Sequence, residues 1–223
     1  MDTAGIKKQH KFFDIFIDND LNALSSHIVT IHNKIFDENI LNVSDLKLLE
    51  NGKKTGASTI LGISNYNIFN FMSEEVYKLQ VGLRKLMQDV CSYYELDFEK
   101  EKFLIHGWYN FDYNSNDNGI VGEVNPLKFP EHFHDHSGGF GSPWFHGYYC
   151  VNAEPSSTFY QIDRNSSNIF ENINKNNRAI ISETGHPHGR DDWYQKNPRI
   201  TIAYDITPMQ RVGHDMINKW IAL

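Results

Sequence analysis

The chain has 223 residues, a hydrophobic content of 40% and a formal net charge of −7 at pH 7. This length and apolar content suffice for one domain with its own core, and the acidic balance, without a run of Lys or Arg, disfavours nucleic acid as a partner. No stretch is apolar enough to span a bilayer, and the N-terminus lacks the basic-then-apolar pattern of a signal peptide. Two cysteines are too few for a disulfide framework, so we expect a cytoplasmic protein with no membrane partner.

The first hundred residues contain two stretches with helical periodicity. In 18–38 apolar residues recur at steps of three and four, which predicts a helix. In 73–95 Ser73 stands at the N-cap position, two glutamates follow it in the first turn, and one apolar stripe continues to the end. A shorter helix is predicted for 44–49, with Ser44 as its N-cap.

After residue 100 the pattern changes from helical periodicity to strands. Alternating and β-branched runs predict strands at 103–112, 146–152, 157–163, 178–182 and 199–205. Turn residues separate these strands at short intervals, as in a β-sandwich or jelly roll. We therefore predict a single, mainly β domain over 1–223, in which a helical buttress (1–100) supports a jelly-roll core (101–210).

Histidines are concentrated in the predicted β region. Residues 132–136 read His-Phe-His-Asp-His, and residues 184–188 read Thr-Gly-His-Pro-His. Six of the eleven histidines therefore fall in one part of the chain, at His132, His134, His136, His146, His186 and His188. Imidazole is the commonest protein metal ligand. On a regular strand the alternating histidines of the first cluster would share one face, and the second cluster could close a metal site from a neighbouring strand.

The strongest candidate ligands are His134, His136 and His188. Three side chains from two strands would bind one face of a metal ion and leave up to three positions open, which is typical of a catalytic site. Such a facial set suits Fe(II), although non-haem iron usually has two histidines and one carboxylate. Arg199 follows His188 by eleven residues, and Thr201 shares its strand face. Together they could receive a carboxylate, because Arg binds this group with two parallel hydrogen bonds.

In order and spacing these pieces resemble the Fe(II)/2-oxoglutarate-dependent dioxygenases of the prolyl-hydroxylase-like superfamily. They resemble more closely an oxygenase branch of that superfamily that is common in marine bacteria and tailed phages. The resemblance covers roughly residues 60–206. The pieces that carry it are Gly62-Ile-Ser-Asn, Gly107-Trp-Tyr-Asn, His134-Asp-His136-Ser-Gly, Phe145-His-Gly-Tyr-Tyr, Pro187-His188 and Pro198-Arg199-Ile-Thr-Ile.

The resemblance implies a fold, a cofactor and an activity. The fold would be a double-stranded β-helix, the cupin-like jelly roll, with Fe(II) held by His134, His136 and His188. Arg199 and Thr201 would hold the far carboxylate of 2-oxoglutarate, and Tyr148 would hydrogen-bond this cosubstrate. The activity would be the hydroxylation of an unidentified small-molecule or peptide substrate with O2, releasing succinate and CO2.

One departure from the family pattern leaves the ligand set open. The superfamily motif is His-x-Asp or His-x-Glu, and here no histidine is followed two residues later by a carboxylate. His132 with His134 is an alternative pair, and Asp135 could serve as the carboxylate if it lies in a bulge. His146, at the start of a strand, is interpreted as a structural residue, with contact to the substrate or to a metal ligand as the alternative.

Two other functions remain open at this point. One is a non-catalytic cupin-like metal-binding module or a structural protein that kept the fold. The other, less favoured, is a zinc hydrolase, because His132-Phe-His-Asp-His136 resembles the metal signature of metallo-β-lactamase-fold enzymes.

Overall fold

A computed structural model describes residues 11–37, 66–112, 133–136, 142–162, 167–213 and 219–223. Within them the chain forms two antiparallel sheets and three α-helices. The predicted helix at 44–49 and the candidate ligand His132 lie outside the described residues. The prediction of a mainly β fold with supporting helices is confirmed.

The three helices are α1 (Leu21–Asp37), α2 (Glu74–Tyr94) and α3 (Phe98–Glu101). α1 begins after Asp20, whose Oδ1 accepts hydrogen bonds from the backbone of Asn22 and Ala23. α2 begins at Ser73, whose Oγ accepts from the Val76 amide at 3.2 Å, so the predicted N-cap is confirmed. In the described part of the chain, no helix combines the length and the apolar character needed to cross a membrane.

The large sheet contains six strands in the order β1-β6-β3-β8-β2-β9. Their bounds are β1 (Phe13–Phe16), β2 (Phe103–Asp112), β3 (Phe145–Asn152), β6 (Arg178–Glu183), β8 (Arg199–Pro208) and β9 (Ile221–Ala222). The small sheet has the order β5-β4-β7, formed by β4 (Ser157–Gln161), β5 (Ile169–Ile173) and β7 (His188–Arg190). His134 extends the small sheet by an isolated antiparallel bridge to His188.

The chain alternates between the two sheets. β2 lies in the large sheet, His134 lies beside the small one, β3 returns to the large sheet, and β4 and β5 form the small one. β6, β7 and β8 then alternate between large, small and large. This connectivity is that of a jelly-roll-like β-sandwich.

The large sheet has two faces with different roles. Its outer face packs on the helices in one core that includes Leu79, Leu83, Tyr149, Ile202 and Tyr204. Truncating a buried leucine in such a core costs about 2–5 kcal/mol. Because side chains alternate along a strand, the residues between them face the small sheet. On β8 these inner residues are Arg199, Thr201, Ala203 and Asp205.

Four short strands of the structure, β1, β5, β7 and β9, were not predicted. β7 contains only His-Gly-Arg, so it has no apolar alternation to detect. β5 lies at the edge of the small sheet and exposes Phe170 and Ile173. Such short edge strands form because a neighbouring strand offers unpaired backbone groups, and local sequence preference contributes little.

Gly147 of β3 is the site of a close approach in the large sheet. It pairs with Ile181 of β6 and Tyr204 of β8. A Cβ atom here would overlap the Ile180 carbonyl oxygen and lie 2.5 Å from Cε2 of Tyr204. Gly213, in contrast, has no described atom within 4 Å of the place where its Cβ would stand.

We expect Gly147→Ala to lower the free energy of unfolding by about 3 kcal/mol, because the strand backbone must move to admit a methyl group. Gly213→Ala is the matched control and should change it by less than about 0.5 kcal/mol. Urea unfolding of the wild type and both variants measures the difference. Equal midpoints for the two variants would contradict the close packing at Gly147.

Candidate metal centre

Three of the predicted ligands meet between the two sheets. His134, His136 and His188 each offer one ring nitrogen, and these atoms lie within 4.8 Å of one another. The backbones of His134 and His188 exchange two hydrogen bonds, of 3.0 and 2.8 Å. This pairing holds the two imidazoles side by side, with ring centroids 4.4 Å apart. The structure therefore brings together side chains that are 54 residues apart in the sequence.

One nitrogen of this cluster lacks a partner that its burial requires. His136 Nε2 is buried and makes no hydrogen bond to any described residue. A buried polar atom without a partner costs free energy, which a bound ligand would recover. His188 Nδ1 lies 3.3 Å from the His186 carbonyl oxygen, which can only accept, so this nitrogen carries the proton. The lone pair of His188 is then on Nε2, so the donor set fits a metal ion.

The electrostatics of the cluster also favour metal binding. Burial lowers the pKa of His134, and the neighbouring His136 lowers it further. Burial, followed by the surrounding imidazoles, holds the pKa of His188 well below its usual range. Both rings are therefore neutral at pH 7, which is the form that binds a metal without first releasing a proton.

A second group shares His136 with the first one. It consists of His136, His146 and Asp205, whose ligand atoms also lie within 4.8 Å of one another. His136 Nδ1 lies 2.9 Å from Asp205 Oδ1, and His146 Nδ1 lies 3.0 Å from the same oxygen. Burial alone would raise the pKa of Asp205, but the two imidazoles hold it well below its usual range. The described residues thus contain a His/Asp cluster that could hold a metal ion.

Asp205 and His146 are the site residues that the sequence analysis missed. They face each other across β3 and β8, where His146 is the register partner of Asp205. A signal for Asp205 was present, because it lies on the same face of β8 as Arg199 and Thr201. His146 had been interpreted as structural, since nothing in the local sequence shows its partner.

The other candidate ligands have different positions. Asp135 belongs to neither group of possible ligands. His186 contributes its carbonyl oxygen to His188 and is not a member of either group. Residues 133–136 do not form a regular strand: their only ladder contact is the single bridge from His134 to His188.

The three predicted cosubstrate residues lie in the sandwich interior. Arg199 and Thr201 are buried on the inner face of β8. Arg199 Nε donates to Ser156 Oγ at 3.2 Å, and Thr201 Oγ1 accepts from Asn110 Nδ2 at 3.1 Å. The Tyr148 hydroxyl donates to Asn174 Oδ1 at 2.9 Å and accepts from Asn172 Nδ2 at 2.5 Å, so it is engaged by the small sheet.

Comparisons with known proteins add little to this geometry. No protein-family model matches the chain, and no curated protein matches it. One similar solved structure is described as "Non-heme monooxygenase, ThoJ-Ni complex", with 7% sequence identity and a TM-score of 0.32. The overlap covers 48% of this chain and 44% of that one, so the chain spans less than half of its neighbour's length. A match this weak carries no argument about fold or activity.

His106 of β2 is a buried imidazole beside the candidate metal centre. It pairs with Asp205 in the register of β2 and β8, and its Nε2 donates to the Tyr66 carbonyl oxygen at 2.7 Å. Burial, followed by the charge of Lys219, lowers the pKa of His106 to about 4, while the hydrogen bond to Tyr66 and the charge of Asp205 oppose the shift. In the unfolded chain the pKa would be about 6.5.

The folded protein is therefore expected to lose stability as the pH falls from 6.5 to 4, because the unfolded chain takes up a proton that folded His106 rejects. His106→Gln keeps a donor near the Tyr66 oxygen but cannot titrate. By pH 4 the wild type should have lost about 3 kcal/mol more than the variant, relative to pH 7.

Urea unfolding of both metal-free proteins at several pH values between 7 and 4 measures this difference. The other buried histidines are present in both proteins, so the comparison isolates His106. Parallel stability curves for the two proteins would contradict a depressed pKa at this residue.

Proposed function

We propose that this chain is a non-haem Fe(II) oxygenase that uses 2-oxoglutarate as its cosubstrate, with His134, His136 and His188 as the iron ligands. The observation that carries the proposal is the convergence of these three imidazoles, one of which has a buried Nε2 with no partner among the described residues. Ligands from two neighbouring segments approach from one side, which leaves positions open for small molecules.

The connectivity of the sandwich supports the same proposal. The alternation of β2 to β8 between the large and small sheets is the arrangement that a double-stranded β-helix requires. The metal cluster lies between the sheets of that sandwich, where the interior is partly shielded from water. A metallo-β-lactamase-type zinc hydrolase has less support, because the described strands from β2 onward pair antiparallel and no described α-helix separates them.

The inner face of β8 supports a carboxylate-binding role for Arg199. The guanidinium is buried, and its Nε donates to Ser156 Oγ, which fixes its plane. A buried Arg binds carboxylates bidentately, and Thr201 stands two residues nearer to Asp205 on the same face. Ala203, between Thr201 and Asp205, contributes only a methyl group to this face.

Tyr148 has a more limited role in the proposal. It is the register partner of Ala203, so its ring lies beside Ala203 on the inner face of the large sheet. Its hydroxyl is held by Asn172 and Asn174, so it contributes a rigid wall more than a hydrogen bond to the cosubstrate. This arrangement assigns the recognition of the far carboxylate to Arg199 and Thr201.

Iron with 2-oxoglutarate supplies oxygen insertion: 2-oxoglutarate, O2 and a substrate R–H give succinate, CO2 and R–OH. The protein's own residues hold the two reactants in place and exclude water. The His134–His188 backbone pair fixes two ligands, Trp108 stacks on His136 at 5.7 Å, and Arg199 sets the direction of the cosubstrate. The substrate is a small molecule or a peptide.

The first test is an anaerobic titration of metal-free protein with Fe(II) and 2-oxoglutarate, followed through the weak visible charge-transfer band of the chelate. We expect the band in the wild type and its absence in His188→Ala. Arg199→Ala should need about 10- to 100-fold more 2-oxoglutarate, because a charge-assisted pair contributes about 1.5–3 kcal/mol.

Arg178→Ala is the matched control for the arginine variant. Arg178 also lies on a strand of the large sheet, but its Nε lies 2.8 Å from Asp14 Oδ2, and this ion pair does not involve the histidines. It should keep the wild-type affinity for 2-oxoglutarate. Metal binding without the band would remove 2-oxoglutarate from the proposal and favour a non-catalytic metal-binding module. A wild type that binds no Fe(II), Ni(II) or Zn(II) would overturn the metal centre itself.

A further inference from the structure

We infer that Asp205 is the positioning carboxylate of this centre: it accepts hydrogen bonds from Nδ1 of both His136 and His146 and so leaves Nε2 of His136 free to bind the metal. The inference rests on the metal-binding part of the proposed function. The local histidine motif lacks the carboxylate that the family pattern contains. Asp205, 69 positions after His136, supplies a carboxylate to the site instead.

The hydrogen bonds determine where the protons are. A carboxylate is the ionised form of an Asp side chain at pH 7, and it can only accept hydrogen bonds. Both Nδ1 atoms, at 2.9 and 3.0 Å from Oδ1, must therefore carry hydrogen. Each ring then has its lone pair on Nε2, which is the tautomer that a metal ligand needs.

The rings of His136 and His146 pack against each other beside Asp205. They are stacked, with centroids 3.9 Å apart and planes inclined by 25°. Their Nδ1 atoms meet at one carboxylate oxygen, and Nε2 of His136 is left as a buried atom without a described partner.

The consequence is a division of roles between the two rings. His136 would bind the metal through Nε2. His146 belongs to the group with Asp205 and not to the group with His134 and His188. From its place opposite Asp205 in the register of β3 and β8, it helps to hold the carboxylate in position. The ring of His188 lies 4.6 Å from that of His146.

Charge provides a second reason for the position of Asp205. Three neutral imidazoles do not reduce the charge of a divalent ion, whereas the usual set of two histidines and a carboxylate reduces it by one. Asp205 supplies that negative charge without binding the metal itself, through its hydrogen bond to His136. Such carboxylate–histidine–metal arrangements fix the ring and raise its basicity, and losing the carboxylate typically weakens metal binding by 10- to 100-fold.

The test uses Asp205→Asn, a nearly isosteric change. The variant replaces one carboxylate oxygen by an NH2 group, which can only donate. His136 Nδ1 lies 2.9 and 3.2 Å from the two oxygens of Asp205, so an NH2 group in either position meets this nitrogen and favours the Nε2–H tautomer. Two-bond nitrogen–proton correlations of metal-free, ¹⁵N-histidine-labelled protein report these tautomers, with signals assigned through His136→Gln and His146→Gln. The wild type should show Nδ1–H at both residues, and Asp205→Asn should switch at least one.

Calorimetric titration with Ni(II), which does not react with O2, measures the effect on the metal. We expect Asp205→Asn to bind Ni(II) about 10- to 100-fold more weakly than the wild type. Asp14→Asn is the matched control, because it also removes a strand carboxylate from an ion pair, with Arg178. It should keep the wild-type affinity. A merely structural Asp205 would change the unfolding midpoint and leave the tautomers and the affinity unchanged.

Three results would overturn the inference. They are an Nε2–H proton on His136 or His146 in the wild type, an Asp205→Asn variant that binds Ni(II) as tightly as the wild type, and Zn(II) coordination through the Nδ1 atoms, which would make Asp205 a direct ligand. If Asp205→Asn does not fold, the tautomers of His136 and His146 in the wild type still test the inference. Because these are measured without metal, failure of the inference is distinguishable from a wild type that binds no metal at all.

Discussion

The position of β8 between β2 and β3 is the constraint on which the rest of the structure depends. Its outer side chains, among them Ile202 and Tyr204, complete the core under the helices. Its inner side chains include Arg199, Thr201 and Asp205, which face the small sheet. One strand thus contributes to the core and to the candidate site at once, and its register with β3 places Asp205 opposite His146.

The second constraint is the close packing of several polar rings in a small volume. Four imidazoles, from His134, His136, His146 and His188, have ring centroids between 3.9 and 5.4 Å from a neighbour. Neutral rings can be stacked this closely, whereas several protonated rings would repel one another strongly in a medium of low dielectric constant. The packing of these four rings therefore depends on the carboxylate of Asp205 and on bound groups that accept the lone pairs of imidazole.

Local patterns in the sequence encode a large part of this protein's structure. Both long helices were predicted, as were the strands at β2, β3, β4, β6 and β8, because their periodicity and caps lie within a few residues. The grouping of His134, His136 and His188 was predicted from their spacing. His146 and Asp205 could not be paired in the same way, because their contact depends on the register of two strands that are 59 residues apart. Short strands such as β7 were missed because their pairing partners determine them.

The bridge between His134 and His188 has a further consequence, which concerns folding. A metal ion that binds only the native arrangement stabilises it by mass action. The ligands come from segments that meet only when β7 has found its place and the residues near His134 lie beside it. A shift of β8 by two residues would replace Asp205 by Ala203 or Thr207 opposite His146 and separate the carboxylate from the imidazoles. An ion bound at the candidate site would therefore favour the native strand register during folding.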